Sequence, residues 1–69
     1  MSTIVVDHGA FLTLVAQSAA RAVVLDKEPK VRVVGDPPAI AEICDVLALV
    51  PRVTCRRRGN VLVVRPAPA

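Results

Sequence analysis

Sixty-nine residues make one small domain, near the lower limit of what folds without a metal or a disulfide. The chain is 54% hydrophobic yet holds a single aromatic, Phe11, so its core must be assembled from Val, Leu, Ile and Ala. Its net charge of +3 is split unevenly, −2 over residues 1–49 and +5 over residues 50–69, and two cysteines without CxxC spacing exclude a disulfide framework or a metal knuckle.

Thr3-Ile4-Val5-Val6 predicts a short strand that stops at Asp7-His8-Gly9. Met1-Ser2-Thr3 lacks the basic start of a signal peptide, and the cytoplasm is the expected compartment. The spacing predicts a helix from Ala10 to about Leu25, with Thr13, Gln17 and Arg21 on one polar stripe. Phe11, Val15, Ala19, Ala22 and Val23 lie opposite that stripe and are expected to face the core, with Asp7 or His8 capping the helix. This apolar stretch is interrupted by Gln17 and Arg21 and is too short to span a bilayer, so no membrane is expected. Asp26-Lys27-Glu28-Pro29 ends the helix as a charged connector.

Lys30 to Gly35 is the second predicted strand, with Val31 and Val33 on one face and Lys30, Arg32 and Val34 on the other. Asp36-Pro37 then opens a helix, because Asp accepts bonds from free N–H groups and Pro fits the first position. Ile40, Ile43, Cys44 and Leu47 form its buried stripe, while Glu42 and Asp45 lie on its outer surface. Val50-Pro51 closes it. Gly35 followed by two prolines offers too few donors for a phosphate cradle.

Gly59-Asn60 between two β-rich runs is a two-residue hairpin turn. Pairing outward sets Arg58 opposite Val61, Arg56 opposite Val63 and Thr54 opposite Arg65. One face of this hairpin therefore collects Arg52, Thr54, Arg56, Arg58, Val61, Val63 and Arg65. The other holds Val53, Cys55, Leu62 and Val64, with Arg57 near the tip. Residues 66–69 read as a loose tail after a single α/β domain over residues 1–65.

The β-α-β-α-β-β order predicts a two-layer sandwich, with both helices on one face of a four-stranded mixed sheet. The open face then gathers Lys30, Arg32, Arg52, Arg56, Arg58 and Arg65 around Val61 and Val63. Such a face suits an anionic partner, either an acidic and partly apolar protein surface or nucleic acid. Charges on an open sheet also simply discourage aggregation. The lack of rings weighs against base stacking, though not against contact with a duplex backbone. His8, the only histidine, follows Asp7 without forming a recognisable catalytic pair. Cys44 and Cys55 both fall on predicted core faces as small buried hydrophobes. No catalytic, cofactor or metal site is expected. Apolar content beyond what one small core hides predicts a homodimer.

Residues 4–49 resemble a shortened STAS domain, the fold of anti-sigma-factor antagonists. The matching stretches are Ile4-Val5-Val6-Asp7 leading through Gly9 into Phe11-Leu12-Thr13-Leu14-Val15, and Val31-Arg32-Val33-Val34-Gly35-Asp36-Pro37-Pro38-Ala39 leading into Ile43 and Leu47. The resemblance implies regulation or inhibition through protein–protein contact. The family's phosphorylated serine lies in an Asp-Ser-Ser-Gly-like motif; Asp7-His8-Gly9-Ala10 stands there, so no phospho-switch carries over. The family's early strands are absent, and a hairpin replaces its final elements. The element order is also similar to sulfur-carrier proteins, whose Cys-Pro-x-Pro motif is missing. It is similar too to Alba-type nucleic-acid binders, whose basic hairpin Arg56-Arg57-Arg58-Gly59-Asn60 resembles. The reading this supports is a small non-enzymatic regulator acting by protein docking, with nucleic-acid binding as the alternative.

Overall fold

Runs of β-branched residues become strands wherever a turn signal bounds them, and the helices occupy the Ala- and Leu-rich stretches between. The structure, a computed structural model, describes residues 2–7, 9 and 11–68. Its elements are β1 (Ser2–Val5), α1 (Leu12–Val24), β2 (Val31–Val34), α2 (Pro37–Leu47), β3 (Val53–Arg58) and β4 (Val61–Pro66). This is the expected α/β order. The four-stranded mixed sheet runs β1-β2-β4-β3, with β1 parallel to β2 and the other two pairings antiparallel.

Alternation decides which face is dry. Val31 and Val33 of β2 and Leu62 and Val64 of β4 are fully buried, while Arg32 between them is exposed. Against those four valine and leucine side chains pack Ala16, Ala19, Ala20 and Val23 of α1 and Ala39, Ile40, Ile43 and Leu47 of α2. Both helices therefore cover one side of the sheet. The alanines let α1 sit close, which compensates for a core without rings.

Helix α1 departs from the predicted phase. It begins at Leu12, Phe11 precedes it as an N-cap residue that is 79% exposed, and the expected start at Ala10 lies outside the described residues. Periodicity cannot carry a residue that lies outside the helix, so Phe11 leaves the core. The buried stripe is Ala16, Ala19, Ala20 and Val23, with Val15 and Ala22 at its margins. Asp7 does not cap this helix; its Oδ1 accepts the Gly9 N–H at 3.0 Å, a local turn. His8 lies outside the described residues.

Helix α2 begins at Pro37 with Asp36 as its N-cap residue, as expected, but the Asp36 side chain makes no capping bond. Pro37 and Pro38 fill the first turn and bring no N–H, so one of the two usual cap donors is missing. Gly35 is where three elements meet. Its N–H donates to Asn60 O at 3.1 Å, and a Cβ there would stand 2.6 Å from Val6 O.

The hairpin closes as predicted through Gly59, whose φ is +60, whereas Asn60 stays outside positive φ. A positive angle at the first turn residue alone is the type II′ pattern. Of the four residues read as a tail, Pro66 closes β4 and the Ala67 N–H donates to Arg52 O at 2.9 Å, while Ala69 lies outside the described residues.

Candidate interaction surface

The face of the sheet away from the helices is laid out in rows by the strand register. Nearest the hairpin turn, Val5, Val34, Val61 and Arg58 stand side by side. In the next row stand Thr3, Arg32, Val63 and Arg56. Beyond it Arg65 pairs with Thr54, and Lys30 occupies the adjoining position before Val31. Each expected hairpin pair is present: Arg58 with Val61, Arg56 with Val63, Thr54 with Arg65.

These side chains shape one shallow groove, rimmed by Lys30, Arg32, Arg56, Arg58 and Arg65 and floored by Val61 and Val63. The four arginines are exposed, and the two valines are half-buried. Among the described residues, no acidic side chain lines the groove. Glu42 and Asp45 sit on α2, in the other layer, so charge separates across the sheet. Clustered like charges without a counter-charge create a field that favours anions approaching this side.

Arg52 is the exception among the predicted members. Its φ of +70 places it in a turn with Pro51, outside β3, where strand alternation no longer applies. It instead lines a separate cleft, together with Lys27, Val23, Val24 and Pro66. Arg57 also stays off the plate, as expected. It is in register with Leu62, and its Nε–H donates to Gly59 O at 3.4 Å. Thr3 and Val5 join the face without having been assigned to it; the parallel register with β2 places them there.

On the covered side, Cys44 and Cys55 are both free and half-buried, with their sulfurs 3.5 Å apart. Burial first, and then the neighbouring Cys44 thiol, push Cys55 up to about 11. Among the described residues, no group of three His, Cys, Asp or Glu side chains could hold a metal ion. No described helix is long and apolar enough to cross a membrane. No family model, curated protein or solved structure matches the chain.

Proposed function

We propose that this chain is a small cytoplasmic, non-enzymatic binding module. It regulates or inhibits a cellular protein by docking its basic plate on an acidic, partly apolar surface. One observation carries the reading: cations rim an apolar floor on a sheet face that no helix covers. Protein interfaces combine an apolar centre with a polar rim, whereas contact with a phosphate backbone needs only the rim. The STAS-like patterning of residues 4–49 supports the same reading. Exposed Arg56, Arg57 and Arg58 beside the hairpin turn favour nucleic acid as the second reading. The protein also acts as a homodimer, a reading supported by the exposed Val5, Phe11 and Leu14.

The floor and the rim separate the two readings. In Arg32→Glu/Arg56→Glu, binding of the partner is lost on either reading, because attraction becomes repulsion. Val61→Ser/Val63→Ser removes only the apolar floor. A host protein retained by the wild type in affinity capture should escape both variants. Labelled duplex or single-stranded nucleic acid should show no binding at low salt. If duplex binding appears, falls steeply with salt and survives Val61→Ser/Val63→Ser, the docking reading is wrong and nucleic acid is the target.

A further inference from the structure

Two thiols from different layers meet at a single point. Cys44 comes from α2, on its core-facing stripe between Ile43 and Leu47, and Cys55 from β3, an edge strand. Their sulfurs stand 3.5 Å apart, so about 1.5 Å of approach separates them from bonding distance. Both residues are half-buried rather than sealed, and β3 lies at one end of the sheet. Nothing else in the fold competes for them, since Cys44 and Cys55 are the only cysteines.

We infer that Cys44 and Cys55 are an oxidative modification site, closing to a reversible disulfide that staples α2 to β3 when a small-molecule disulfide supplies the oxidising power. The exchange runs in two steps. One protein thiol loses its proton, and the thiolate attacks a sulfur of the small disulfide, forming a mixed disulfide and expelling one small thiolate. The second protein thiol then loses its proton and attacks the protein-side sulfur. This forms the Cys44–Cys55 bond and expels the second small thiolate. The two departing thiolates take up the two protons. Two protein thiols are oxidised by two electrons, and one small disulfide becomes two thiols.

Either thiol can take the reagent, because the two sulfurs stand 3.5 Å apart and the second is within reach of whichever forms the mixed disulfide. Eleven positions separate the two cysteines in the chain, and the bond would close that loop, which restricts the unfolded ensemble. Oxidation should therefore make the native fold harder to melt, with a Tm raised on the order of 10 °C.

The test treats the purified full chain with oxidised glutathione and follows intact mass and melting temperature. The expected product is one monomeric species lighter by two hydrogens, with no glutathione attached and with a higher Tm than the reduced chain. Cys44→Ser and Cys55→Ser should each stop at one glutathione adduct. A stable doubly glutathionylated chain, a covalent dimer, unreacted thiols, or an internal disulfide that lowers Tm would each overturn the inference. The melting comparison distinguishes closure in the native fold from closure in an unfolded chain.

Discussion

Single side chains in this domain act through how closely their neighbours approach. Gly35 is the sharpest case. A methyl group there would press on the backbone oxygen and the Cγ2 of Val6 at 2.6 Å, and a backbone atom cannot rotate away. The Val6 N–H to Val34 O bond at 2.8 Å fixes that oxygen's strand against β2. Gly35→Ala should therefore cost roughly 1–3 kcal/mol by urea denaturation, the range for overpacking a filled site. An unchanged midpoint would mean that the end of β1 yields freely. Cys55 is governed by closeness of a different kind. Burial, with the neighbouring Cys44 thiol, pushes Cys55 in the reduced chain up to about 11, so the reaction of the reduced pair with a small disulfide should quicken as pH rises. A rate that levels off near neutrality would mean that the thiol is more solvated than its surroundings suggest.

The helices and the hairpin differ in how openly they declared themselves. The hairpin was legible because Gly59-Asn60 fixes the turn, and a side-chain period of two then assigns every face without further information. The extrapolation failed one residue too far, at Arg52, where Pro51 begins a turn and φ becomes positive. In α1 the polar stripe was legible, but the helix start was not. Phe11 lies opposite the polar stripe if the helix runs on to include it, yet it precedes the helix and no side-chain cap bond fixes the boundary there. Sequence alone placed Cys44 and Cys55 on the covered side, which makes a disulfide between them conceivable though disfavoured in a reducing compartment; their 3.5 Å approach needed tertiary structure. At α2 the boundary was right and its reason was wrong. Asp36 precedes two prolines, so its carboxylate makes no capping bond. Asp36→Ala should accordingly lower Tm by under about 3 °C, where a working cap would cost roughly 4–8 °C. A larger fall would show the carboxylate bonding to the remaining donor, Ala39 N–H.

The placement of charge and apolar surface together decides how copies of the chain can meet. Two plates cannot face each other, because each presents Lys30, Arg32, Arg56, Arg58 and Arg65 with no acid among them. The edge formed by β1 has no such obstacle. It lies at one end of the sheet, where its outer edge has no neighbouring strand among the described residues. Val5 and Phe11 are each 79% exposed and Leu14 is 58% exposed, and Phe11 and Leu14 border a shallow apolar hollow with Ile4 and Val15. A standard interface takes about 800 Å² from each partner, roughly a sixth of the 4578 Å² this chain exposes. That area needs the edge and the hollow together. Two-fold pairing there would set the two basic plates side by side and double the charge offered to a partner without adding a residue. Light scattering on the eluting protein should give twice the 7.3 kDa chain mass. Leu14→Lys should return it to one chain with its fold intact, since Leu14 lies outside the buried core. A wild type that stays at one chain as concentration rises would leave the apolar edge without a second copy, and the plate would act alone.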